Sequence, residues 1–149
     1  MNKEVTLSVV IPMYNEADAI TGVLAQLSTL FATQLPTMTH EILVIDDGSS
    51  DGSTDVVTTC AGPEVRLFRH PYNIGNGAAV KTGIRNAQGQ YILLMDADGQ
   101  HQPEDIPRLL ELTDQYDMVV GARTGESETA VHRDLANLIY NTFASYVCG

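Results

Sequence analysis

Short apolar blocks of three to five residues alternate along this chain with longer stretches in which apolar positions return every third or fourth residue. The first spacing predicts strands, and the second predicts helices that lay one face upon them. Residues 7–11 form the first block, rich in β-branched side chains and stopped by Pro12. Residues 17–31 follow with Ile20, Val23, Leu24, Leu27, Leu30 and Phe31 on one helical stripe. Asn15 is placed to cap that helix, and Glu16 and Asp18 suit its positive end. Further strands are predicted over residues 41–45, 65–68, 91–95 and 118–120. Helices are predicted from Ser53 or Thr54 to Cys60, over 77–87, and from Pro103 or Pro107 to Asp114. Residues 124–130 are polar and read as a mobile connection. Leu135, Leu138, Ile139, Phe143, Tyr146 and Val147 then mark a final amphipathic helix. It reads as core packing, with an acceptor-side or peripheral membrane-facing surface as the alternative.

Strict alternation of strand and helix, with strands that are near-continuous apolar runs, predicts an α/β domain. Its sheet is mostly parallel and open, with helices on both faces. Ligands of such sheets bind in the crevice beyond the carboxyl ends of the strands. Tyr14-Asn15-Glu16, Asp46-Asp47, Asn73, Asp96-Ala97-Asp98 and Arg123 all follow predicted strands, so they are expected to share one edge. The carboxylates of Glu16, Asp46, Asp47, Asp96 and Asp98 would be costly together without a cation or hydrogen-bond donors. A nucleotide-sugar with a metal ion supplies both.

Asp96 and Asp98 carry the sharpest signal, because residues 91–95 read as a buried strand that delivers two carboxylates one residue apart. Anions that close repel unless a cation lies between them. Oxygen-only ligands select a hard divalent ion, Mg2+ or Mn2+, over zinc. A polar turn after a strand explains one aspartate well and the pair less well. Asp46-Asp47 before Gly48 has its own bland explanation as a turn. Gly75 and Gly77 imitate phosphate loops but complete none, since Val80 stands where a Walker loop needs glycine before Lys81-Thr82. They read as backbone freedom near a ligand, or as helix capping. His101 reads as a loop residue, or as one that supports a ligand from behind, rather than a ligand itself, and His40, His70 and His132 have no metal-binding spacing.

Composition narrows the classes further. A chain of 149 residues is read as one domain with a single core. Its net charge of -11 argues against nucleic acid as a partner. Cys60 and Cys148 lie far apart without a CxxC spacing, which suits free thiols in a reducing compartment. No apolar run approaches the ~20 residues needed to span a bilayer, and the first residues lack the apolar core of a signal peptide. The expected location is therefore cytoplasmic, with the cytoplasmic face of a membrane as the variant a lipid acceptor would require.

Three ordered blocks resemble family 2 glycosyltransferases: Val10-Ile11-Pro12-Met13-Tyr14-Asn15-Glu16, Val44-Ile45-Asp46-Asp47-Gly48-Ser49-Ser50-Asp51-Gly52-Ser53 and Met95-Asp96-Ala97-Asp98-Gly99-Gln100-His101. The likeness is strongest to polyprenyl-phosphate (dolichol-phosphate) mannosyl- and glucosyltransferases of the GT-A fold. Asn73-Ile74-Gly75-Asn76-Gly77-Ala78-Ala79-Val80-Lys81-Thr82-Gly83 and Val120-Gly121-Ala122-Arg123 fit the same group. The resemblance implies that Pro12, Tyr14 and Glu16 border the nucleoside, that Asp46 accepts from the base, and that Asp47 supports that loop or the ribose. It makes Asp96 and Asp98 the metal-binding, catalytic Asp-x-Asp pair, with Gln100 as third ligand to Mg2+ or Mn2+. Lys81, Arg123 and Arg133 become phosphate contacts. The donor would be a UDP- or GDP-linked sugar and the acceptor a polyprenyl phosphate, with inversion at the anomeric carbon. The resemblance also implies that residues 1–149 are a single GT-A domain ending before the acceptor-site segment. A donor-binding module without turnover and a nucleotidyltransferase are the competing functions. A phospho-accepting receiver domain fits poorly, because it needs its acidic pair after the first strand and a lysine after the fifth, where Pro12-Met13-Tyr14 and Arg123 stand.

Overall fold

The computed structural model describes residues 5–121. The chain divides into two compact units, Met1–Glu111 and Leu112–Gly149. The first holds four strands, β1 (Leu7–Met13), β2 (His40–Asp46), β3 (Val65–Arg69) and β4 (Tyr91–Leu94), and the helices α1 (Ala17–Thr33), α2 (Ser53–Cys60), α3 (Asn76–Asn86) and α4 (Ile106–Leu110). Every strand pair is parallel, in the order β3-β2-β1-β4.

That order dictates the layers. The chain steps from β1 to β2 to β3 in one direction and then crosses back to reach β4 on the far side of β1. Right-handed crossovers must place helices on opposite faces when the direction reverses. Accordingly α1 and α2 cover one face, burying Ile20, Val23, Leu27 and Val57 against Leu7, Val9, Ile11, Ile42 and Val44. On the other face Ala79 of α3 joins Val10, Leu43 and Ile45. Gly83 lets α3 come close, since a Cβ there would lie 2.2 Å from Val10 Cγ1. The reversal puts the topological switch point between β1 and β4.

β1 runs through Pro12 to Met13, two residues beyond the predicted end at Ile11. Carbonyls of a parallel strand turn alternately to its two neighbours: Val10 accepts from Met95 N–H on the β4 side, and Met13 accepts from Asp47 N–H on the β2 side. Pro12 therefore faces β4 past the last ladder residue, Leu94, where a missing N–H breaks no pairing. β4 is not buried throughout as predicted. Ile92 and Leu94 are 42% and 48% exposed because α3 lies over β1 and β2, and among the described residues of this unit nothing covers that face of β4. The helix predicted to run to Asp114 is shorter than expected: residues 103–105 form a 3-10 turn, and α4 ends at Leu110 with Pro107 in its first turn, where no N–H is needed. In the second unit, residues 118–120 form no strand among the described residues, and no ladder partner for them is described. The predicted connection over 124–130 and the final helix lie outside the described residues.

A buried polar cluster ties the amino-terminal edge of the sheet. Glu41 accepts from Ser8 Oγ (2.6 Å), Gln88 N–H (2.6 Å) and Arg66 Nη1 (2.7 Å), while Ser8 Oγ accepts from Gly89 N–H (2.9 Å). Burial alone would raise the Glu41 carboxyl, but the bonds from Ser8, Arg66 and Gln88 outweigh it and hold it below the ordinary glutamate value.

Candidate functional site

All four strands end at one edge, so the segments that follow them meet there. By register Met13 lies opposite Asp46, and Val10 opposite Leu94. Asp46 thus leaves on one side of β1 and the Asp96 segment on the other, about 10 Å apart at two strand spacings. The expected convergence of the acidic segments on one rim is present.

The two acidic pairs do different physical work. Asp46 is fully buried, and its carboxylate is already engaged: Oδ1 accepts from Ser49 N–H at 2.8 Å, and Oδ2 accepts from Thr54 Oγ1 and lies 3.5 Å from Arg69 Nε. Asp47 is 3% exposed; it accepts from His70 Nδ1 at 2.6 Å, Ile74 N–H at 3.0 Å and Gly75 N–H at 2.7 Å. Burial would raise its carboxyl, yet the donors from His70, Ile74 and Gly75 hold it below the usual aspartate range. Both carboxylates are buried, and Asp47 supports the 70–75 loop, one of the two roles the resemblance implied for it. Each is satisfied inside the protein, where it shapes a turn.

The serines of the same segment clamp the turn after β1, and the sequence offered no separate signal for them. Asn15 N–H donates to Ser49 Oγ (2.9 Å) and Glu16 N–H to Ser53 Oγ (2.9 Å), while Ala17 N–H donates to Asp51 Oδ2 (3.1 Å). Asp51 of a neighbouring loop therefore serves the first turn of α1, not Asn15 as expected. The Asn15 side chain instead accepts from Ser50 N–H at 2.9 Å, and its own backbone sits at φ 55°, a left-handed position that asparagine tolerates. With its backbone held in this way, Tyr14 stands 46% exposed on the rim, Glu16 is half-buried beside it, and Pro12 is half-buried at the mouth between β1 and β4.

Beyond β4 the arrangement is the reverse. Ala97 is buried in the core, so Asp96 and Asp98 on either side of it are turned outward, and both are exposed. Asp98 Oδ1 accepts from Gln100 N–H at 2.9 Å, closing a tight turn in which Gly99 takes φ 75° and Gln100 is brought alongside. His101 Nδ1 accepts from Asp96 N–H at 3.1 Å, and its Nε2 lies 3.5 Å from Asp96 Oδ2, so it sits directly against Asp96. Among the described residues neither carboxylate pairs with lysine or arginine. No three His, Cys, Asp or Glu residues assemble a complete cation cage among the described residues. Two outward carboxylates beside an amide fit Mg2+ or Mn2+, which take one or two carboxylates and complete their shell with water and substrate phosphate. Lys81 is exposed on α3. Arg123 and Arg133 lie outside the described residues.

The family model for glycosyl transferase family 2 matches residues 8–146. The chain belongs to that family. Undecaprenyl-phosphate 4-deoxy-4-formamido-L-arabinose transferase of Yersinia pestis (strain Pestoides F) is 32% identical over 146 residues, covering 96% of this chain and 44% of the relative. The protein of the same name from Klebsiella pneumoniae (strain 342) is 37% identical over 137 residues, covering 89% and 41%. The family 2 chain thus spans less than half the length of these curated relatives. Among solved structures, mannosyl-3-phosphoglycerate synthase from Rubrobacter xylanophilus superposes with a TM-score of 0.63 at 23% identity, over 74% of this chain and 36% of that one. The mannosyltransferase PcManGT from Pyrobaculum calidifontis, in complex with GDP-Man and Mn2+, has a TM-score of 0.55 at 28% identity, over 65% and 28%. S. aureus TarS 1-349 in complex with UDP gives 0.57 at 23% identity, over 72% and 32%. The fold is that of the GT-A glycosyltransferases, as the resemblance implied.

Proposed function

We propose that this chain is the donor-binding, catalytic part of a metal-dependent glycosyltransferase that moves a sugar from a UDP- or GDP-linked donor to a polyprenyl phosphate. One observation carries the reading: an outward Asp96/Asp98 pair, unpaired with lysine or arginine among the described residues, stands at the switch-point crevice across from the clamped Tyr14–Glu16 turn. The names of the relatives support the acceptor class, and the nucleotides in the solved complexes support the donor class.

In this reading Asp96 and Asp98, with Gln100, hold Mg2+ or Mn2+. Held there, such an ion would supply positive charge against the negative charge that builds on the departing diphosphate. Pro12, Tyr14 and Glu16 border the nucleoside, and Asp46 and Asp47 act from inside, by fixing the turns against which it rests. Lys81, Arg123 and Arg133 are the phosphate contacts. The acceptor oxygen attacks the anomeric carbon as the bond to the diphosphate breaks, so the centre inverts. A phosphate monoester loses its second proton at a pKa of about 6, so that oxygen is already ionised at neutral pH and no strong general base is required. A lipid acceptor places the reaction at a membrane surface, on the cytoplasmic face where nucleotide-sugars are found. No helix among the described residues is long and apolar enough to cross a membrane.

Mass-detected transfer from UDP- and GDP-sugars to a polyprenyl phosphate by the purified chain with Mn2+ tests the reaction. Calorimetry tests the site: Asp98→Ala should weaken UDP or GDP in the presence of Mn2+ more than it weakens uridine or guanosine. Equal losses for nucleoside and diphosphate would remove the bridging ion from this account.

A further inference from the structure

His70 belongs to no role assigned so far, yet it joins two elements at the candidate rim. Its side chain is 11% exposed. Nδ1 bonds Asp47 Oδ1 at 2.6 Å at the end of β2, and Nε2 bonds Thr82 Oγ1 at 2.9 Å on α3. A carboxylate only accepts, so Nδ1 is the donor in the first of these bonds. His70 N–H also donates to the Asp46 carbonyl at 2.8 Å.

The segment that follows is tied back to the same place. Ile74 and Gly75 donate their N–H groups to the Asp47 carboxylate, so one buried side chain holds both ends of the loop between β3 and α3. The middle of the loop crosses Gly48 so closely that a Cβ there would lie 2.5 Å from the carbonyl carbon of Tyr72. This tightly held loop presents Tyr72 and Ile74, 66% and 51% exposed, at the edge that also carries Tyr14. Glu41 makes an equally dense set of bonds at the opposite edge of the sheet, away from the strand ends that build the site. Asp47 and His70 sit at the strand ends that form the rim.

We infer that His70 is a positioning residue, a strut from Asp47 to Thr82 that sets the loop bounding the nucleoside side of the donor site. The loop's role rests on the donor-binding reading above; the strut itself does not.

The test uses the full chain as wild type, His70→Ala, His70→Asn and Thr82→Val. It reads amide hydrogen exchange together with calorimetric binding of UDP and GDP in Mn2+. His70→Ala should speed exchange at Ile74 and Gly75 by about tenfold, the equivalent of one charge-assisted bond, while the amides of β1 and β2 keep their wild-type protection. It should weaken the nucleotide that wild type binds by about tenfold as well. His70→Asn, whose amide nitrogen can stand in for Nδ1, should recover most of both effects, and Thr82→Val should fall between. Unchanged exchange at Ile74 and Gly75 in His70→Ala would overturn the strut. Faster exchange spread evenly through β1 and β2 would reduce His70 to a general stability role and overturn it too. A loosened loop with unchanged nucleotide affinity would overturn its link to the donor. A wild-type chain that binds neither nucleotide would overturn the donor reading instead, and the exchange data would then decide the strut alone.

Discussion

Replacing one oxygen of each acidic pair by an amide, as Asp47→Asn and Asp98→Asn, separates the buried pair from the exposed one. Asp47 is 3% exposed and receives three donors. An asparagine keeps one acceptor oxygen and turns an NH2 toward a backbone N–H of Ile74 or Gly75, which can only donate. At least one donor, Ile74 N–H or Gly75 N–H, is then left unpaired at about 1–3 kcal/mol, and the surviving bonds lose their charge assistance. The sum is roughly 2–4 kcal/mol, which at about 3–5 °C per kcal/mol for a chain of this size lowers Tm by roughly 10 °C. Asp98 accepts the Gln100 N–H on an exposed turn, and Asn can accept it equally well. Its change in stability should stay within about 0.5 kcal/mol. Thermal unfolding by circular dichroism measures both variants, and calorimetry with UDP and GDP in Mn2+ measures binding. The expected pattern is a large loss of Tm for Asp47→Asn, and a loss of metal-dependent nucleotide binding without loss of Tm for Asp98→Asn. A Tm for Asp47→Asn within 2 °C of wild type (about 0.5 kcal/mol by the same conversion) would refute the claim that this carboxylate works inside the protein.

Gly48→Ala should cost roughly 2–4 kcal/mol in urea unfolding, because φ is +76° and the new Cβ meets loop backbone rather than a movable side chain. Gly22→Ala on α1, where nothing lies within 4 Å of the new Cβ, should instead stabilise by roughly 0.5–1 kcal/mol. Acid should destabilise the fold: the Glu41 and Asp47 carboxyls are held below their ordinary values, so the unfolded chain binds protons first. Their stabilisation is complete above the unfolded values near 4 and is lost as pH falls through the lower folded ones. Urea midpoints from pH 6 to pH 3 should show that decline, and Glu41→Gln should flatten it while lowering stability at pH 6.

The period of apolar residues was enough to place β1, β2, β3 and α1 within two residues, because burial of one stripe or one short run determines each of those elements. It was also enough to predict that acidic segments from separate strands meet, since parallel strands end at a common edge. Local pattern fails where pairing or coverage decides. Residues 118–120 carry a strand-like composition but have no ladder partner among the described residues, and residues 91–95 read as buried although α3 leaves one face of β4 open. Asp46-Asp47 and Asp96-Ala97-Asp98 look alike as sequence, acidic pairs after apolar runs. Only the packed molecule separates them: donors from Ser49, Thr54, His70, Ile74 and Gly75 surround the first pair, while the second stands exposed and is met by Gln100 N–H and His101 of its own turn. A carboxylate's role follows from the donors that reach it, and for Asp47 these come from His70, Ile74 and Gly75, more than twenty positions away, so residue type and spacing could name the acids but not divide their labour.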